Sequence, residues 1–195
     1  MIDIQTLVLG PLETNCYLVS LPGSNDVAVI DPGDDIPALQ RALAGKTVAG
    51  VLITHAHYDH ILGLPALKDC PIYVHEADAP AMTNAQYNCA PEATPTPCVP
   101  ATHTVQDGDV ISLAGIDFTV LHTPGHTLGG VCYQVNDTLF TGDTLFAHGY
   151  GRTDLYGGSF SQLMRSLRRL LRMNVHVYPG HGEDAVFSRE GKQQA

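Results

Sequence analysis

Seven histidine and aspartate side chains follow apolar runs in a repeating manner. Residues 54–60 read THAHYDH and place His55, His57, Asp59 and His60 directly behind the run VAGVLI. His126 closes TPGH after FTVLH, Asp143 closes TGD after TLF, and His181 stands in PGH after HVY. Imidazole with carboxylate is a donor set for zinc, iron or manganese. A closed structural zinc site takes four ligands and is commonly rich in Cys; none of the seven candidates is Cys. Seven donors exceed what one tetrahedral ion uses. They suit two divalent ions about 3.5–4 Å apart sharing a carboxylate, an arrangement that holds a hydroxide and stabilises both attacking and leaving groups. The neighbouring Gly125, Gly142, Gly180 and Gly182 permit close backbone approach or positive φ. No serine sits between the glycines of a nucleophile elbow, and no glycine-rich phosphate loop occurs. His75, His103, His122 and His176 stand apart from this pattern and are expected to be hydrogen-bonded structural residues.

These donors need strands that end at a common rim. The runs IDIQTLVL, NCYLV and VAVI read as strands, the Pro-Gly pair at 32–33 as a turn, and Asp35 to Leu43 as a helix closed by Gly45. VAGVLI (48–53) is an unbroken apolar and β-branched run, the pattern of a strand buried on both faces. ILGLPALK is expected to be a short helix and PIYV another strand. Residues 80–104 carry five prolines and form a long irregular segment, either a binding segment or a plain insertion. VISLAGIDFTVLHT predicts two strands around Ala114–Gly115, and VCYQVNDTLFTGD two more around Asn136–Asp137. SFSQLMRSLRRLLRM predicts a helix with Leu163, Leu167, Leu170 and Leu171 toward the core and Arg165, Arg168, Arg169 and Arg172 on a solvated face. VHVY is the last strand. Strands feeding helices in two similar halves predict an α/β (α+β) fold of two packed sheets with helices outside, with 1–195 as a single domain.

The chain has 195 residues, 44% hydrophobic and 15% charged, without Trp. A formal charge of −10 argues against general nucleic-acid or anionic-membrane binding. No apolar run approaches the ~18 residues of a membrane span, and the N-terminus lacks a basic signal-peptide region; a cytoplasmic protein is expected. Five irregularly spaced cysteines (Cys16, Cys70, Cys89, Cys98 and Cys132) argue against a disulfide framework.

THAHYDH, TPGH (123–126), TGDTLF (141–146) and PGHG (179–182), together with TNCYLV (14–19), VIDPG (29–33) and GRTD (151–154), resemble the metallo-β-lactamase superfamily, and within it the glyoxalase II branch of hydroxyacylglutathione hydrolases. The resemblance implies a four-layer αββα sandwich of two mixed sheets. It implies two divalent ions, zinc first and iron or manganese as alternatives: His55, His57 and His126 on one, Asp59, His60 and His181 on the other, Asp143 bridging. The implied reaction is attack of a metal-bridging hydroxide on a small-molecule thioester of S-lactoylglutathione type, with Asp59 orienting the hydroxide or receiving its proton. Asp31 and Thr54 are candidates for fixing ligand orientation, and Arg152, His148 and Tyr150 for lining the substrate pocket. The chain ends soon after His181, so the resemblance is to the short bacterial type that lacks the helical C-terminal domain. A mononuclear-iron persulfide dioxygenase needing only His55, His126 and Asp143, or a lactonase, are the alternatives within the superfamily.

Overall fold

The computed structural model describes residues 1–188 and the backbone of 193–194. Six strands form the first sheet in sequential order: β1 (Asp3–Leu9), β2 (Thr14–Ser20), β3 (Asp26–Ile30), β4 (Thr47–Leu52), β5 (Ile72–His75) and β6 (His103–Val105). The first three pair antiparallel and β3 to β6 parallel. The second sheet is β7 (Val110–Leu113), β8 (Ile116–His122), β9 (Val131–Val135), β10 (Thr138–Gly142), β11 (Val175–Pro179), β12 (Ala185–Phe187) and β13 (Gln193–Gln194), also in sequential order. In this sheet β10 and β11 are parallel and the other pairs antiparallel. Both sheets are therefore mixed.

Period-two alternation distributes each strand between two apolar layers. In β2, Cys16 and Leu18 join an outer cluster with Leu39 and Ile61, while Tyr17 and Val19 turn inward. In β8 to β10, Val120, Tyr133 and Phe140 meet Tyr17, Ile30 and Leu52 between the sheets. Leu121, Cys132 and Leu139 face the other way, onto Leu163, Leu167 and Leu170. Three apolar layers make four layers of structure, αββα, as expected. Tyr17 and Phe140 bridge the sheets with ring centroids 5.2 Å apart. Truncating such a ring costs about 3–5 kcal/mol.

The helices are short. α1 (Ile36–Ala42) is capped by Asp35, whose side chain accepts from the Ala38 N–H. ILGLPALK does not form the single helix expected. α2 (Tyr58–Ile61) begins inside THAHYDH, and a separate 3-10 turn covers Leu64–Leu67. The break falls at Gly63, whose N–H donates to Pro32 O at 2.8 Å. α3 (Phe160–Leu170) is capped by Ser159 and buries Leu163, Leu167 and Leu170. Leu171, expected in the core, is the C-cap and 47% exposed, because the chain leaves the helix there. The three arginines of α3 and Arg172 just beyond it are exposed, and Arg169 Nη1 donates to Asp107 Oδ1 at 2.8 Å. The 80–104 segment holds only the end of a 3-10 turn, Ala79–Thr83, and the start of β6. Among the described residues no helix is long and apolar enough to cross a membrane.

Candidate metal centre

Strand ends deliver the candidate donors to one rim. β4 runs into His55 and His57. α2 carries Asp59 and His60 on its first turn, and β8, β10 and β11 lead to His126, Asp143 and His181. His55, His57 and His126 bring one nitrogen each within 4.8 Å of one another, and Asp59, His60 and His181 do the same with an oxygen and two nitrogens. Asp143 stands between them. Its Oδ2 is 3.4 Å from His126 Nε2, and its Oδ1 is 3.5 Å from His60 Nε2 and 3.6 Å from His181 Nε2. All seven candidates converge. A third close group, Asp31 with His55 and His60, was not read as a ligand set from sequence.

Six buried side-chain nitrogens and oxygens lack a hydrogen-bond partner among the described residues. Five belong to the candidates: Nε2 of His55, His57, His60 and His126, and Oδ1 of Asp143. Unpaired buried polar atoms are rare because each carries a desolvation cost. Five gathered in the two donor groups and the carboxylate between them fit bound cations. The other ring nitrogens reinforce this. His60 Nδ1 lies 3.0 Å from Asp31 Oδ2, His126 Nδ1 2.7 Å from Arg152 O, and His181 Nδ1 3.0 Å from Leu12 O. Those partners only accept, so Nδ1 is a donor in each ring and Nε2 is the atom left to face a cation. Thr54 Oγ1 donates to Asp31 Oδ2 at 2.5 Å, leaving its own lone pair for the His55 Nδ1–H 3.2 Å away. Asp31 and Thr54 thus form one buried orienting unit, completed by the Thr54 N–H on Asp31 Oδ1 at 2.7 Å.

Electrostatics divide the two groups. Burial and the neighbouring His126 push His57 down to about 3. Burial, with His60 and His126 close by, holds His55 well below the ordinary imidazole value. Both are neutral at pH 7. Burial works against protonation of His60 and His181 too, but carboxylates outweigh it and raise both: Asp59 and Asp31 for His60, Asp59 and Asp143 for His181. Burial alone would raise Asp59 and Asp143. The charge of His60, the nearby His181 and the Thr14 hydrogen bond depress Asp59; the close approach and charge of His60 depress Asp143.

Several residues that build the site carried no sequence signal. Thr14 Oγ1 donates to Asp59 Oδ2 at 2.9 Å. Asn15 Nδ2 holds Pro179 O and Gly182 O at 3.0 and 2.8 Å, fixing the turn that carries His181. Buried Asp78 accepts from Ala56 N and Thr127 Oγ1 on Oδ2, and from Gly129 N on Oδ1. It clamps the His55–His57 loop to the His126 loop. Only TNCYLV hinted at the first two, as part of a longer motif.

The sequence model of the metallo-beta-lactamase superfamily matches residues 9–182. The chain belongs to this superfamily. Among its relatives, an uncharacterised protein of Mycobacterium tuberculosis is 37% identical, covering 93% of this chain and 91% of that one. A probable metallo-hydrolase of Bacillus subtilis is 31% identical, with 97% and 94% covered. A hydroxyacylglutathione hydrolase of Tolumonas auensis is 33% identical over 93% of this chain but only 66% of its own length. Of solved structures, the B3 metallo-beta-lactamase BLEG-1 superposes with a TM-score of 0.88 at 32% identity, covering 94% of both chains. A di-iron-bound form of TTHA1623 gives 0.79 at 35%, covering 93% and 94%. ETHE1 from Myxococcus xanthus gives 0.73 at 30%, covering 93% and 76%.

In this metallo-beta-lactamase superfamily chain the candidate centre opens into a cavity of about 280 Å³. Leu12, Tyr58, Cys89, Pro91, Arg152 and Leu155 rim it. Of the three substrate-pocket candidates only Arg152 lines it, and its guanidinium makes paired bonds of 2.7 and 2.8 Å to Asp154. His148 instead pairs with Glu183 at 2.8 Å, and Tyr150 lies beside Phe160; both are exposed and outside the lining. The 80–104 segment reaches the rim through Cys89 and Pro91. It is fixed by a Tyr87–Tyr156 stack at 4.3 Å and by the Tyr58 N–H on Asn88 O at 2.9 Å. His75 and His122 stack at 4.0 Å, His103 stacks on Tyr73, and His176 hydrogen-bonds Asp184. All four stand outside the donor groups.

Proposed function

We propose that this chain is a dinuclear metal-dependent hydrolase acting on small-molecule thioesters of hydroxyacyl-glutathione type. The observation that carries the reading is Asp143, whose two oxygens face two separate histidine-containing groups. His55, His57 and His126 would hold one ion, Asp59, His60 and His181 the other, with Asp143 shared. Zinc is the first choice for such donors, and iron and manganese accept them too. A di-iron form of a structure 35% identical makes iron the ion to test beside zinc. Bound divalent ions supply Lewis acidity, which acidifies water and polarises a carbonyl oxygen.

The protein's own part is orientation. Asp31, Thr54, Arg152 O and Leu12 O hold Nδ1 of His60, His55, His126 and His181 and leave their Nε2 atoms to the site. Asp59 is held ionised and accepts from Thr14. A carboxylate so far below neutral pH stores a proton poorly, so its role is to align the attacking water. A thiolate leaves with a conjugate pKa of about 8.5 and needs no strong general acid. Arg152 supplies the cation nearest the opening for an anionic thiol, in competition with Asp154. The likeness to the Tolumonas auensis hydroxyacylglutathione hydrolase supports glutathione as the thiol to try first.

The test is metal stoichiometry on freshly purified protein, with hydrolysis of S-lactoylglutathione after loading with zinc, iron or manganese. Two ions per chain with turnover is expected. One tightly bound iron with oxygen uptake on glutathione persulfide would replace this reading by the dioxygenase, and turnover of lactones alone by the lactonase.

A further inference from the structure

The chain around Asp59 walls two cavities at once. One is the cavity over the candidate donors. The other, about 240 Å³, lies beside it, and Leu12, Tyr58, Asp59 and Pro91 line both. Three distant segments build the second chamber: the tip of the β1–β2 hairpin, α2 with its C-cap Leu62, and residues 91–94 of the irregular segment. Its additional walls include Leu9, Pro11 and Leu62. No lysine or arginine lines it. Thr14 is committed to Asp59. Asp34 is the other carboxylate on the lining, and it disfavours an anionic tail. Leu12 stands 48% exposed at the boundary of the two cavities, an apolar edge facing water with no partner in the core clusters.

We infer that this chamber takes the acyl side of the substrate, and that the acyl group is a neutral aliphatic chain longer than lactoyl. The thiol side is left to the Arg152 edge of the neighbouring cavity. Apolar walls strengthen binding about fourfold for each methylene they remove from water, whereas a polar acyl group finds few partners among them. Speaking of acyl and thiol sides rests on the hydrolase reading; the chamber's preference for aliphatic chains is measurable without catalysis.

The experiment is calorimetric titration of the zinc-loaded protein with acetate, butyrate, hexanoate and octanoate, run beside kcat/KM for the matching S-acylglutathiones. Affinity is expected to climb by roughly fourfold per methylene until the chamber is full. Thr94→Trp and Leu62→Trp fill the space from two different segments, and each is expected to bring octanoate back toward acetate. Equal affinity for acetate and octanoate in the unsubstituted protein overturns the inference, whatever the variants do. Chain-length-dependent binding without hydrolysis of any thioester keeps the chamber and removes the thioesterase reading. Hydrolysis of S-lactoylglutathione with no gain for longer chains, in binding or in kcat/KM, keeps the thioesterase and removes the chamber.

Discussion

Thr127 Oγ1 donates to Asp78 Oδ2 at 2.7 Å, and the same oxygen accepts the Ala56 N–H at 3.1 Å. One buried carboxylate therefore sets the distance between the loop of His55 and His57 and the loop of His126. Asp78→Ala leaves three donors without their acceptor. Destabilisation of about 3 kcal/mol is expected, with a roughly 10- to 100-fold loss of metal affinity. Urea unfolding and chelator competition measure the two effects. A folded variant with undiminished metal affinity would show that the clamp does not position the donors.

Asp143→Ala removes the carboxylate that faces both groups. Metal content is expected to fall below two ions per chain, and thioester hydrolysis by roughly a hundredfold or more. Elemental analysis of the purified variant is the check. Two ions retained at full occupancy would sink the bridging assignment.

The pH dependence of metal binding is expected to differ between the two groups. His55 and His57 are already neutral at pH 7, so protons on them do not compete with an ion until acid pH. His60 and His181 have raised values and hold protons that an ion must displace. The proton on each is lost as pH rises through its raised pKa, so the affinity of the Asp59–His60–His181 group climbs with pH until those raised values are passed and levels off above them. Lowering pH from 8 to 6 is expected to weaken the second ion more than the first, with proton release on binding. Calorimetry in buffers of different ionisation enthalpy reads this directly; equal pH slopes for both ions refute it.

Gly180 lies where a side chain has no room: a Cβ there would sit 2.3 Å from Asp143 Oδ1 and 2.8 Å from His60 Cε1. Gly180→Ala must displace one of the two. Activity and second-ion affinity are expected to fall together by at least about tenfold, with little change in secondary structure. A circular dichroism spectrum alongside metal titration separates this from unfolding.

The five cysteines are free, and they differ in reactivity. Burial pushes Cys16 far above the ordinary thiol value and Cys132 up to about 12. A disulfide reagent at neutral pH is expected to modify exposed Cys98 quickly and to reach Cys16 and Cys132 only after denaturation, since the thiolate is the reactive form. Rapid native modification of either buried thiol contradicts the packing.

The donor set was legible because metal chemistry restricts residue type and because each donor follows directly on a strand. Apolar runs such as VAGVLI demand burial on both faces and lead into helices in two similar halves, so two packed sheets with helices outside were legible as well. Leu171 was misplaced because a helical pattern does not mark the residue at which the chain leaves the helix. His148 and Tyr150 share a loop with Arg152, but sequence neighbourhood does not set side-chain direction; Glu183 and Phe160 hold them elsewhere.

By itself the sequence determined which side chains could bind cations and that strand ends would carry them. Only the tertiary structure decided how they group, because His55, His126, Asp143 and His181 come from separate strands whose relative positions depend on sheet packing. The same holds for Asp78 and Thr14. Each is an ordinary polar residue in the sequence, and its role exists only through distant partners, 45 positions away for Thr14 and 22 and 49 for Asp78.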